Sequence, residues 1–297
     1  MGSGSYPVEN IFVSSIWRQR LDQLGIDAAG FVLKKKGPVC FALTRHDYLF
    51  DFEKWPDTAA EMLLEADIVI GKKLLPELMP TDILKKSIVW QCSVAPYINL
   101  KNPKPFHKRA MSDIARCTRN FTKEYGQPAL DLAGEQERVE WFNGWTAFDI
   151  ANRASKGQKS IFLAPDIKDV FSKWITQGPL PEWMNLFRLK AGDHTLCYAL
   201  AYVWDGVFYF LLPAINSNER FHSFGIGKIF VQKLIDWSVQ QNLGIFDFLQ
   251  GGEAYKFDWN PEVRPLYQYE IPLTRLGRLA LMARRIQLRL RSKKIIK

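Results

Sequence analysis

Residues 207–259 read VFYFLLPAINSNERFHSFGIGKIFVQKLIDWSVQQNLGIFDFLQGGEAYKFDW. An apolar, β-rich run over 207–214 gives way to a polar loop over 216–223. Gly225-Ile226-Gly227 then opens a helical stretch to about residue 242, and Gly244 leads into a second apolar run over 245–249. Strand, helix and strand in that order form a βαβ crossover, so the two strands should be parallel and the connection right-handed. This predicts an α/β chain with a mixed sheet.

Working back from residue 207, runs over 185–190 and 195–204 complete a three-strand meander, joined at Ala191-Gly192-Asp193 and at Asp205-Gly206. Residues 196–215 approach the length of a membrane-spanning helix, with Asp205 their only charge. The Asp205-Gly206 turn signal in the middle makes them a hairpin instead. Helices are expected over 112–125, where Arg116, Arg119 and Lys123 lie, over 135–154, and over 165–174, with Asp166 near the N-terminus of the last. Closer to the N-terminus, 30–33 and 39–43 read as strands, 57–64 as a helix and 66–70 as a strand.

The chain has 297 residues, 47% hydrophobic, 24% charged and 13% aromatic, which excludes a disordered or collagenous chain and suggests two domains. Met1-Gly-Ser-Gly-Ser lacks the basic start and apolar run of a signal peptide. Cys40, Cys92, Cys117 and Cys197 form no Cys-x-x-Cys pair, and His46, His107, His194 and His222 no helical pair. No metal is therefore expected, and a reduced, cytoplasmic protein is the simpler reading. The net charge of +9 sits in the tail: residues 271–297 hold nine Lys or Arg and no Asp or Glu. Leu276, Leu279, Ala283, Ile286 and Leu290 recur there at helical spacing, with Arg278, Arg285 and Arg289 on a neighbouring stripe. Such a basic amphipathic helix can cap a domain with its basic side in water, lie on the inner face of an anionic membrane, or bind an acidic protein or RNA.

Two features carry chemistry. The loop 222–227 places Gly225 and Gly227 at a helix start, where free N–H groups and the helix dipole suit an anion; close packing would also select these glycines. No Gly-Lys-Ser/Thr follows, so it is not a P-loop. Beyond the carboxyl end of the second strand, where open α/β sheets bind ligands, Glu253, Tyr255 and Lys256 cluster on a glycine-rich bend. Asp247 sits inside the apolar strand, where a carboxylate needs a partner or marks a site.

Ser223-x-Gly225, the helix bearing Asp236-Trp237, and Phe246-Asp247-Phe248-Leu249 followed by Gly-x-Glu253-x-Tyr255-Lys256-x-x-Trp259 resemble GNAT-fold acyltransferases of the cellulose-biosynthesis acetyltransferase type. The likeness runs from about 94 to 271, through Tyr97-Ile98-Asn99-Leu100, Arg116 and Arg119 to Arg264-Pro265-Leu266-Tyr267. It implies a GNAT core preceded by a degenerate GNAT-like lobe, as in the related Fem-type aminoacyltransferases, with lobes at 6–125 and 126–272 and a tail helix at 273–297. It also implies transfer of an acyl group from acyl-CoA or an acyl-carrier protein to an amine of a sugar, amino acid or peptide, in polysaccharide or secondary-metabolite biosynthesis. The donor would lie along Leu212 and Ala214, with its pyrophosphate at Ser223, Phe224, Gly225, Ile226 and Gly227. Glu253 or Asp247 would be the base, Tyr255 the acid and a backbone N–H near Pro213 the oxyanion donor; Lys256, Tyr209 and Asn216 would bind the acceptor. His222 stands where the family pattern has Arg or Gln, which keeps a carrier-borne donor or an aminoacyl-tRNA beside coenzyme A. Alternatives are a Fem-like, tRNA-dependent transferase and a non-catalytic, membrane-associated assembly module.

Overall fold

A computed structural model of the protein describes residues 31–44, 65–74, 87–176 and 180–295. In chain order its strands and helices are β1 (Phe31–Lys36), β2 (Val39–Thr44), β3 (Ile68–Leu74), β4 (Ile88–Asn99), α1 (Lys108–Tyr125), β5 (Ala129–Leu132), α2 (Arg138–Ser155), α3 (Pro165–Thr176), β6 (Met184–Ala191), β7 (His194–Trp204), β8 (Val207–Ile215), α4 (Ile226–Gln240), β9 (Ile245–Asp247), β10 (Glu262–Pro272) and α5 (Arg275–Ile295). They fall into two compact units, one of residues 96–263 and one drawn from 7–95 and 264–297. Helix α1, read from sequence as part of the first lobe, lies in the unit of 96–263, and α5 lies in the other.

In the larger unit the strands run β4-β9-β8-β7-β6-β5, all antiparallel neighbours except β8 and β9, which are parallel as the βαβ reading requires. The hairpin turn between β7 and β8 holds Asp205 and Gly206 at φ 47° and 72°, the conformation that this residue pair adopts most readily. Helices α1 and α4 bury Ile114, Cys117, Phe121, Ile229, Phe230 and Leu234 against one face of the sheet. On the other face α2 lays Trp141 and Trp145 on β7 and β8, with Phe162 and Phe171 packed edge-on against Trp145. Both faces being covered, β7 is buried continuously from Leu196 to Tyr202, which is why the segment reads as apolar as a membrane helix. Burial of each such aromatic or aliphatic side chain contributes roughly 1.5–3 kcal/mol. Strand β5 lacks the alternation that would have announced it, and the helix read over 57–64 lies outside the described residues.

In the smaller unit β1 and β2 form a hairpin, β2 runs parallel to β3, and β3 pairs antiparallel with β10. Strand β3 begins at Ile68, two residues later than the run suggested. Asp67 anchors the start of α5: its backbone oxygen accepts the N–H of Leu273 at 2.8 Å, and its carboxylate accepts the Thr274 hydroxyl at 2.5 Å. Thr274 Oγ1 in turn accepts the Gly277 N–H at 3.0 Å, capping the helix. A Cβ on Gly277 would stand 2.1 Å from the Asp67 carbonyl oxygen, so only glycine lets the helix come this close. Leu281 is buried with Val39, Ile68 and Ile70, and Arg284 pairs with the buried Glu270. Gly277→Ala should therefore destabilise the protein by about 1–3 kcal/mol in urea unfolding, because the obstacle is backbone rather than a movable side chain.

Candidate active site

Strands β8 and β9 pair only at Val207, Phe208 and Tyr209 with Ile245, Phe246 and Asp247. There β9 ends, two residues short of the run read from sequence, while β8 continues to Ile215. The cause is local. Asp247 Oδ1 accepts the Leu249 N–H at 2.7 Å, and Leu249 turns into the left-handed region at φ 59°. Among the described residues, the other positive-φ positions outside glycine are Asp205, Asn242 and Asn260, types that tolerate it. A leucine there stores on the order of 1 kcal/mol of strain.

Past the divergence lies a cavity of about 650 Å³, walled by Phe210–Leu212 on one strand and by Phe248–Gln250 on the other. Strand β8 carries a bulge here: Leu200 faces Leu212 but Ala201 faces Phe210, leaving Leu211 as the extra residue outside the β7 ladder. At the far end Gly225 caps α4 in the left-handed conformation, φ 58° and ψ 39°, and its carbonyl accepts the N–H groups of Lys228 and Ile229. A Cβ on Gly227 would meet Ile215 Cδ1 at 2.8 Å. Both glycines thus have a conformational or packing reason, and both line the cavity.

The lining holds two carboxylates, Asp149 and Glu253, against four cations, Arg153, Lys156, Lys228 and Lys256. Asp149 is buried and accepts Arg153 Nε at 2.9 Å and the Ser160 hydroxyl, which holds the guanidinium at the rim. Lys228 is paired with Asp258 at 2.9 Å. Lys156 donates to Asn152 Oδ1 at 2.7 Å and has no ion pair among the described residues. The excess of positive charge suits an anionic ligand.

Lys256 is 2% exposed, and its ammonium donates to the carbonyls of Gln250 and Gly251 and to Glu253 Oε2, at 2.8, 3.3 and 2.8 Å. It therefore ties the whole 250–253 bend together. A Cβ on Gly251 (φ 111°) would fall 2.4 Å from the Glu253 carboxylate, so glycine is needed for that carboxylate to fold back. Partial burial pushes the Glu253 carboxyl upward, but its hydrogen bonds and the Lys256 charge outweigh this and hold it below the usual glutamate range. Burial pulls Lys256 below the usual lysine value despite Glu253 and Asp247 nearby. Burial, and then the Glu253 charge, raise Tyr255 well above the usual phenol value. The cavity thus meets an ionised carboxylate and a protonated phenol.

The acetyltransferase (GNAT) domain family matches residues 108–257, just over half of the chain. The chain belongs to the GNAT acetyltransferase family. This GNAT protein is an acyltransferase, and its mixed α/β sheet is the fold expected of one. No curated protein sequence matches it. Among solved structures it is similar to FemX, at 10% identity over 91% of this chain and 94% of that one, with a TM-score of 0.57. It is likewise similar to L-PGS from Bacillus licheniformis, at 12% identity over 86% and 85%, with a TM-score of 0.52. A C-terminal DUF2156 domain from Agrobacterium fabrum shares 12% identity over 85% and 83%, with a TM-score of 0.54. At these identities the likeness is one of fold.

Of the residues singled out from the GNAT sequence, Leu212, Gly225, Gly227, Glu253, Tyr255 and Lys256 are brought together around the cavity. Asp247 and Tyr209 are wholly buried and lie outside the lining; Asp247 is occupied in shaping the strand end rather than facing the cleft. Ala214 is also buried, and Asn216 spends its side chain on Thr195 and Asn218. Ser223, Phe224 and Ile226 fall in the capping segment: Ile226 is buried, and Phe224 packs edge-on against Phe121 and Tyr125. His222 hydrogen-bonds Ser217 O of its own loop at 3.1 Å. The α2 contribution of Asp149, Asn152 and Arg153 was not read from sequence; an Asp-Arg pair four apart on a helix looks like any surface ion pair.

Two outcomes follow from this geometry. Asp247→Ala, which leaves the Leu249 N–H without its acceptor, should cost about 1–3 kcal/mol in urea unfolding, with Asp247→Asn recovering part. Glu253, its pKa lowered by folding, contributes stability that is present above the ordinary glutamate value of about 4.3 and lost as pH falls through the folded value. Stability measured across that acid window should therefore decline less steeply in Glu253→Gln than in the wild type.

Proposed function

We propose that the protein is an N-acyltransferase that passes an acyl group from a pantetheine thioester, acyl-CoA in the simplest case, to a neutral amine. The observation that supports this most directly is the parting of two parallel strands into an apolar slot with a cationic rim. The slot offers Phe210, Leu212 and Phe248 to an acyl-pantetheine chain, and Gly225, Gly227 and Lys228 to its phosphates. The thioester supplies an acyl carbon that an amine can attack. Glu253, ionised and 57% exposed, would take the proton of the entering amine from the solvent side. Tyr255, kept neutral by burial, would give a proton to the departing thiolate. A backbone N–H at the β8 bulge, where Leu211 lies outside the β7 ladder, would serve the acyl oxygen as it gains charge. Pro213 offers no N–H on that stretch, so the role falls to the bulge.

The acceptor we infer is an amine of a sugar, amino acid or peptide, as in polysaccharide or secondary-metabolite assembly. A carrier-protein or aminoacyl-tRNA donor is the second reading. It is favoured by His222, which is engaged with its own loop instead of extending a cation toward a nucleotide.

Thermal-shift titration with acetyl-CoA, longer acyl-CoAs and free coenzyme A should raise the melting temperature with ligand concentration by mass action. Tyr255→Phe should keep that shift while lowering kcat by roughly 10²-fold or more, and Glu253→Gln should lower it comparably with a flattened acid limb of the rate profile. No shift with any coenzyme A species would move the donor to a carrier protein or tRNA. Full turnover in both variants would remove the assigned roles.

A further inference from the structure

Helix α5 is oriented by three contacts on one side: the backbone approach at Gly277, the burial of Leu281, and the pair of Arg284 with Glu270. With 100° between successive residues, Leu276, Leu279, Met282 and Ile286 then fall within an arc of about 120° centred opposite Gly277 and Leu281. They are 40%, 65%, 61% and 59% exposed. The apolar stripe of Leu276, Leu279, Met282 and Ile286 is therefore the face turned outward. It is also concentrated: of the twelve large apolar side chains exposed among the described residues, these four and Leu273 lie within fourteen positions. A monomeric surface scatters such residues singly.

We propose that this face of α5 is the docking surface for an anionic lipid bilayer. The choice of occupant rests on charge. Residues 271–297 hold nine Lys or Arg and no Asp or Glu, equal to the whole excess of the chain. The exposed Arg278 stands on the flank of the stripe, and the exposed Arg275 stands within its arc at the N-terminal end of the helix. Apolar side chains submerged below the headgroups, with arginines reaching up to the phosphates, form the arrangement an interfacial helix needs. The stripe is aliphatic and carries no aromatic ring on which a base could stack, which disfavours RNA. No helix among the described residues is long and apolar enough to cross a membrane, so α5 would lie in the interface plane. This surface belongs to the unit of 7–95 and 264–297 and does not depend on the reading of the cavity.

The test is co-sedimentation of the full chain with vesicles of phosphatidylcholine alone and of phosphatidylcholine with about one-third phosphatidylglycerol. Binding should be at least about tenfold stronger to the anionic vesicles and should fall with added salt. Leu279→Glu with Met282→Glu should lower it by a further tenfold or so, and Arg275→Gln and Arg278→Gln by roughly fivefold for each charge, with melting temperature unchanged. Equal binding to both vesicles, or no loss in the Leu279→Glu, Met282→Glu variant, would overturn the proposal. So would a dimer in sedimentation that the same two substitutions dissociate, which would assign the stripe to a second copy. Binding to RNA that survives those substitutions, in place of vesicle binding, would assign the charge to nucleic acid.

Discussion

One hydrogen bond, from the Leu249 N–H to the Asp247 carboxylate, organises the larger unit. A parallel strand flanked on both sides would ordinarily continue pairing, since every residue added to the ladder satisfies two more backbone groups. Here the side chain takes the N–H that would have extended the turnless strand, and Leu249 enters a region of backbone space that leucine avoids. From that point β8 and the chain after β9 part, and the space between them is the cavity. The strain is local and the fully buried carboxylate is its counterpart: neither is explained without the other.

The bend that follows extends the same logic. A buried ammonium normally weakens a fold, yet Lys256 converts its burial into three contacts on a segment of four residues. It thereby fixes Glu253 in its charged form, and the charge of Glu253 helps to keep Tyr255 protonated. Glu253 and Tyr255 are separated by one residue, yet their proton affinities are driven in opposite directions: the carboxylate through its cationic neighbour, the phenol through apolar walls and that carboxylate.

The meander and the crossover were legible because their signals are local: Asp205-Gly206 between two β-rich runs, and a glycine pair opening a period of 3.6. Half of the site was legible for a similar reason, since Glu253, Tyr255 and Lys256 follow a strand end within ten residues. What escaped depends on contacts distant in sequence. Asp149 and Arg153 become part of a cavity only because α2 is laid across β8 by Trp145, whose indole donates to Leu212 O at 3.0 Å, 67 positions away. Asp247 read as a catalytic candidate because a carboxylate in an apolar strand has few structural explanations; the positive φ of Leu249, invisible in the residue types, supplies one. The rotation of α5 escaped as well, being set by Asp67, 207 positions before Thr274.

Strand β8 also carries a hazard that its neighbours answer. Where β9 leaves it, one edge is stripped of its partner, and an unpaired edge invites a strand from another molecule. The Asn216 N–H bonds Leu196 O across the ladder, so the alternation of β8 turns residues 213 and 215 toward the abandoned side. The first of these is proline, with no donor to offer, and the carbonyl of the second accepts the Asn152 carboxamide at 3.4 Å. An intruding strand would find few groups to pair with, so the opening that admits a ligand is closed to the chain of another molecule.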